Sequence, residues 1–169
     1  MSLSMYQASI PVFIRMLSNL SAILDKAVAQ AEAKKLDPSA LLKARLAPDM
    51  LPFTFQIQTA SDSAKGCAAR LAGIEAPSFA DTETTFPELK ARIAKTLEFL
   101  RSVKPEQIDG SEERNVTLKL RTGEMHFKGQ TYLLAFALPN FYFHVTTAYA
   151  LLRHNGVEIG KQDFLGAIA

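Results

Sequence analysis

Apolar side chains recur at three- and four-residue steps along most of this chain, and at two-residue steps over one short stretch. Phe13, Leu17, Leu20, Leu24, Ala27, Val28 and Ala31 form the first stripe, which predicts an amphipathic helix after Pro11. Met5, Tyr6 and Ile10 offer its continuation towards the N-terminus, with Pro11 either in the first turns or at a bend. Leu36-Asp37-Pro38 ends it, because a residue before proline avoids the helical region, and a short helical turn from Ser39 to Lys43 follows. A second helix runs from about Leu51 to Leu71, with Pro48 and Pro52 bracketing its start. Its apolar positions are Phe55, Ile57, Ala60, Ala64, Cys67, Ala68 and Leu71, and Gly73 is its C-cap. Ala60, Ser61, Ser63, Ala64 and Gly66 are small enough to let a neighbouring helix approach closely.

Ala76 to Thr84 reads as a loop, and Thr85-x-x-Glu88 as a capping box with Pro87 in the first turn. Leu89, Ile93, Leu97 and Leu100 give the third helix its inner face. After Pro105 the period changes. Val116, Leu118 and Leu120 alternate with Thr117 and Lys119, then Met125 and Phe127 with Glu124, His126 and Lys128, around a turn at Thr122-Gly123. A small hairpin is therefore expected before a fourth helix that bends near Pro139 and ends around Arg153-His154-Asn155-Gly156. Val157 to Ala169 shows no clear period. Four long helices and one hairpin predict a mainly all-α bundle, with residues 1–169 as a single domain.

Composition narrows the class without naming a reaction. The chain has 169 residues, of which 48% are hydrophobic and 21% charged, enough for one core and too apolar for disorder. A net charge of +2 gives little non-specific attraction to nucleic acid or anionic lipid, so neither is expected as a partner. The single cysteine, Cys67, has no internal disulfide partner, which suits a reducing cytoplasm. Two segments bear on membranes. Residues 1–14 carry no charge but lack the basic and continuously apolar regions of a signal peptide. Gly129 to Leu152 has the length of a span, yet Gln130, Pro139, Asn140, His144, Thr146 and Thr147 suit a buried bundle helix instead.

No phosphate-binding loop, dinucleotide fingerprint, nucleophile elbow or cysteine pair for zinc is present. Of three histidines, His126 falls on the outward face of the hairpin and His154 in a last helical turn, where it favours the dipole. His144 lies in the middle of an apolar helix, where both ring nitrogens need partners. Asn140, His144 and Thr147 share a face of that helix, and the second helix carries polar residues at Gln56, Gln58, Thr59 and Asp62. If the two helices face each other, these groups form a polar pocket inside the bundle. Cys67 reads as a small core residue, with no base beside it.

Four helices with a polar centre on the second and fourth, ending in His144-x8-Arg153-x2-Gly156, resemble the DinB/YfiT-like superfamily. The opening Ser4-Met5-Tyr6-Gln7-Ala8-Ser9 and the closing Phe141-Tyr142-Phe143-His144 with Leu152-Arg153-His154-Asn155-Gly156 are similar to an uncharacterised bacterial branch of it. The resemblance implies an up-down-down-up bundle. It also implies a divalent-metal site built from one histidine of helix two and two histidines, four residues apart, of helix four. Several relatives are thiol-dependent transferases or isomerases. His144 resembles the second helix-four histidine, but Asn140 stands at the first position and Gln58 or Thr59 at the helix-two position. One imidazole among amides and hydroxyls is a poor site for zinc or nickel, and Asp62 adds a carboxylate only if it points inward.

These readings together predict a DinB-like protein without a complete metal site, binding a small ligand in the bundle centre through His144, Asn140, Gln58, Thr59 and Asp62. One alternative is a hydrolase or thiol transferase using a nickel or zinc ion on His144. Another is a structural or stress-related interaction protein. Surplus apolar surface on the first and fourth helices suggests a homodimer burying some of Phe13, Phe141, Phe143 or Tyr149.

Overall fold

A computed structural model describes residues 3–120 and 122–167. The first helix, α1 (Met5–Lys34), starts further back than its main stripe because Ser4 caps it. The Ser4 hydroxyl accepts from the Gln7 N–H, and the Gln7 side chain accepts from the Ser4 N–H at 3.1 Å. Pro11 is accommodated inside the helix, and Lys35, in the left-handed region at φ 53°, closes it. By length and hydropathy α1 could cross a membrane, but its stripe from Met5 through Phe13, Leu17 and Leu24 to Ala31 is buried among the other helices.

Asp37 caps the short α2 (Pro38–Lys43). The helix α3 (Phe53–Ala72) ends on Gly73 at φ 69°. Its buried aromatic is Phe53, the first residue of the helix, while Phe55 is only half-buried. The expected Thr85/Glu88 capping box opens α4 (Phe86–Ser102), and α5 (Pro105–Ile108) follows. Strands β1 (Asn115–Leu120) and β2 (Gly123–Lys128) pair antiparallel, Val116 opposite Phe127 and Leu118 opposite Met125. Only Val116 and Leu118 turn fully into the core.

The last long helix is continuous but not uniform. It begins as α6 (Gly129–Thr131), where a Cβ on Gly129 would lie 2.0 Å from the Ser111 carbonyl oxygen. It widens to a π-helical segment over Tyr132–Ala137 and returns to α geometry as α7 (Leu138–His154). Near Pro139, where a bend is anticipated, the helix carries this π segment. Proline offers no N–H to the carbonyl one turn back, so the regular ladder fails there and a wider turn takes its place. The tail without a readable period contains one further helix, α8 (Lys161–Leu165), which packs on α1, with Arg15 donating to the Leu165 carbonyl at 2.7 Å.

Cross-helix contacts fix the helix directions. Gln56–His144 and Arg70–Tyr132 run in opposite senses along α3 and the last helix, so those two are antiparallel. Phe53–Phe86 and Ser61–Thr96 run in the same sense, so α3 and α4 are parallel. Phe13–Phe141 at one end and Gln30–Glu158 at the other make α1 and α7 parallel. The bundle is thus up-down-down-up, with α1, α4, α3 and α7 in order around it. Phe13, Phe53, Ile57, Leu89 and Phe141 fill its centre.

Candidate functional site

Gln56, Thr59, Ser63, Gly66 and Arg70 follow one another at three- or four-residue steps, so α3 presents a single non-aliphatic stripe. Three members of it meet a partner on the last helix. The His144 Nδ1 lies 2.8 Å from the Gln56 Oε1, the Asn140 Nδ2 donates to the Ser63 Oγ at 2.8 Å, and the Arg70 Nη1 donates to the Tyr132 hydroxyl at 3.0 Å. Seven residues separate Ser63 from Arg70, whereas eight separate Asn140 from Tyr132. The extra residue is the one a π turn adds. It brings Tyr132, rather than Leu133, to Arg70.

The upper rung fixes a tautomer. Gln56 donates through Nε2 to the Leu51 carbonyl at 2.9 Å, which leaves its Oε1 facing His144. Nδ1 of His144 therefore carries the proton and Nε2 is the bare nitrogen, with no hydrogen-bond partner among the described residues. Burial holds the imidazole below its ordinary pKa, so the ring is neutral at pH 7. The rings of Phe55 and Phe143 stand edge-on to it.

The two lower rungs border a cleft of about 460 Å³ between α3, the π segment and β1. Thr59, Asp62, Ser63, Arg70, Lys119 and Asn140 supply its polar lining, and Leu118, Leu120, Tyr132 and Phe136 much of its apolar lining. Tyr132 is buried, and burial pushes its phenol up to about 12, so it is a neutral hydroxyl. Tyr132 and Phe136 stack nearly parallel, centroids 6.1 Å apart and planes 18° apart.

Not every residue singled out from sequence turns towards this seam. The Gln58 amide donates to the Glu83 carboxylate at 2.9 Å, across the loop before α4. Asp62 lines the cleft, but its Oδ1 is held at 2.8 Å by both Arg92 and Lys65. Arg92, its side chain 1% exposed, also meets Glu83 at 3.0 Å and Asp81 at 2.9 Å. Burial opposes ionisation of Glu83, but hydrogen bonds from Gln58 and Arg92 outweigh it and hold its carboxyl below the usual range. These groups pin the connection between α3 and α4. His144 and Asn140 also stand apart, the first beside Gln56 and the second in the cleft. The predicted residues therefore serve three places rather than one central pocket.

The remaining candidates are quickly placed. His126 is exposed and hydrogen-bonded to Thr117, and His154 is exposed at the end of α7. Cys67 is fully buried, which pushes its thiol up and leaves it inert. Phe13 and Phe141 pack edge-to-face inside the core, centroids 4.9 Å apart, and so present nothing to a second copy. Phe143 is 55% exposed beside Leu46 in a shallow apolar groove, and Tyr149 rests on Phe164.

The donor set does not fit the metal centre that the superfamily resemblance implies. Among the described residues no three of His, Cys, Asp or Glu converge, and the α3–α7 seam offers one imidazole beside an amide, with a second amide and a hydroxyl further along. Zinc and nickel select imidazole, thiolate and carboxylate donors in threes and fours.

Gln56 belonged to the polar pocket expected from sequence, whereas Ser63, Arg70 and Tyr132 did not. Successive seven-residue steps from Gln56 were the available signal for Ser63 and Arg70. Tyr132 had none, because its position depends on the π turn.

Comparison with known proteins agrees with this architecture. No curated protein matches the chain. A solved structure described as a DinB family member protein from Shewanella denitrificans is 42% identical, with a TM-score of 0.89, over 96% of this chain and 92% of that one. The family described as a domain of unknown function, DUF1993, matches residues 5–165. With its helices ordered as in the DinB-like bundle and the match spanning nearly its whole length, the chain belongs to the DUF1993 family.

Proposed function

We propose that this protein binds a small molecule, and that it does so in the cleft between α3, the π segment and β1 without relying on a resident transition metal. The observation that carries the reading is the convergence, in one concavity of about 460 Å³, of Ser63, Asn140 and Arg70 with the stacked rings of Tyr132 and Phe136. Small-ligand sites have this make-up: apolar walls, and a few polar groups that fix orientation. The π segment supports it further, because wide turns in helices often mark functional positions and here one supplies the cleft wall.

A hydrolase or thiol transferase would require a nucleophile or a metal held against substrate. His144 has a free Nε2, but its neighbours are phenyl rings and an amide, and the only thiol is sealed in the core. Melting the purified protein against a collection of small polar-aromatic compounds, with metal analysis of the same sample, tests the reading. Compounds that raise the melting temperature of the wild type but not of Asn140→Ala are expected. Stoichiometric nickel or zinc, lost in His144→Ala, would overturn it.

A further inference from the structure

Lys119 on β1 and Arg70 on α3 are the two cations that line this cleft, and Arg70 is the one held there by a hydrogen bond. Among the described residues it forms no salt bridge, whereas Arg92 on the other side of Asp62 meets three carboxylates. Asp62, which also lines the cleft, is already neutralised by Arg92 and Lys65. The local balance at the cleft is therefore positive.

Arg70 is also seated rather than loose. Its guanidinium lies over Gly66: a Cβ there would fall 2.6 Å from Nη1, and all three of the nearest atoms to that imaginary Cβ belong to Arg70. Glycine inside a helix is costly to stability, and the seat accounts for its presence at position 66. On the other side, the Tyr132 hydroxyl accepts from Nη1 at 3.0 Å, with the guanidinium carbon 5.9 Å from the ring centroid. Because the phenol stays neutral, it positions the cation without cancelling it. Nε and Nη2 remain to donate, which is the fork that matches two oxygens of one anion. One turn before Gly66, over which the guanidinium lies, Ser63 accepts from Asn140 and keeps its own proton to donate.

We propose that the cleft takes a small molecule bearing an oxyanion, a carboxylate or phosphate monoester, on a flat apolar body. Arg70 and Ser63 hold the anion, and the body lies against Phe136 and Leu118. This rests on the cleft being the ligand site and adds the chemical class of its occupant. It also makes Gly66 and Tyr132 positioning residues for Arg70.

Benzoate, phenyl phosphate and uncharged benzamide, titrated into the isotope-labelled full chain by NMR, test it. One or both anions should shift the amides of Ser63, Arg70 and Phe136 and bind at least about tenfold more tightly than benzamide, the margin of one charge-assisted hydrogen bond. A preference for benzoate identifies the carboxylate, and for phenyl phosphate the phosphate monoester. Arg70→Gln should remove that margin, and Arg70→Lys, which keeps the charge but loses the fork, part of it. Tyr132→Phe should weaken the anion by between about twofold and tenfold by releasing the guanidinium. Circular dichroism of each variant confirms folding. If benzamide binds the cleft as tightly as the anions, or Arg70→Gln binds them unchanged, the anion assignment fails while the ligand site stands. If none of the three probes shifts the cleft amides at millimolar concentration, both fail.

Discussion

Replacing Gly66 with alanine should have an effect whose size depends on whether Arg70 is present. Alanine in a helix interior is worth about 1 kcal/mol over glycine. Nothing but the Arg70 side chain opposes the new methyl group, since Nη1, Cζ and Nη2 are its three nearest atoms, at 2.6, 3.5 and 3.7 Å. In the wild type the methyl group must displace the guanidinium. That forfeits the Tyr132 hydrogen bond and the contact with its ring, together about 1 kcal/mol at a partly exposed site. The two effects nearly cancel, so Gly66→Ala alone should leave stability almost unchanged. In an Arg70→Ala background there is nothing left to displace. There the same change should stabilise by about 1 kcal/mol, or about 3 °C in melting temperature for a chain of this length. Urea unfolding of the four proteins followed by circular dichroism closes the cycle, with an expected coupling of about 1 kcal/mol. Equal stabilisation by Gly66→Ala in both backgrounds would show that Arg70 does not sit over Gly66.

Three other outcomes follow from the remaining polar groups. Arg92→Met should lower stability by about 3 kcal/mol, because Glu83 is left as an unpaired, largely buried carboxylate while the exposed Asp62 and Asp81 regain water; a loss below about 1 kcal/mol by urea unfolding would contradict this. Adding Glu83→Gln to that variant should recover part of the loss, and strict additivity of the two changes would count against the buried pair. His144 has a folded pKa below its ordinary 6.5, so between the two values the unfolded chain binds more protons and stability falls as pH falls. Wild type should therefore lose more stability than His144→Gln between about pH 7.5 and about pH 5, and parallel pH profiles would refute it.

The helices were legible where local chemistry decides them. The alternation of three- and four-residue steps, the Thr85/Glu88 box and the Gly73 cap each act within one or two turns, and each appears where the pattern put it. The reversal of helix order came only through family resemblance, because nothing in a single stripe says which neighbour it will cover. The α8 helix escaped notice since five residues hold barely one turn, and it is held by Arg15, Asn19 and Lys26 of α1.

The site was half legible for a similar reason. Polar residues inside apolar helices marked the α3–α7 seam, and His144 and Asn140 do face α3. Which α3 residues they meet depended on helix rotation and on the π turn. Gln58 and Asp62 lie about 100° or more round α3 from the seam, far enough to belong to Arg92 instead. Arg92 is not part of the Leu89, Ile93, Leu97 and Leu100 stripe, so the periodicity of α4 does not mark it. Its burial follows from the parallel packing of α3 and α4 beneath the loop carrying Asp81 and Glu83.

Amide-shift mapping of compounds that raise the melting temperature tests the central claim most directly. Saturating the isotope-labelled protein with each compound should move the resonances of Thr59, Ser63, Leu118, Phe136 and Asn140 together, as one site of about 460 Å³ requires. Shifts gathered instead around Leu46 and Phe143, in the separate apolar groove of α7, would place the ligand elsewhere and contradict the account.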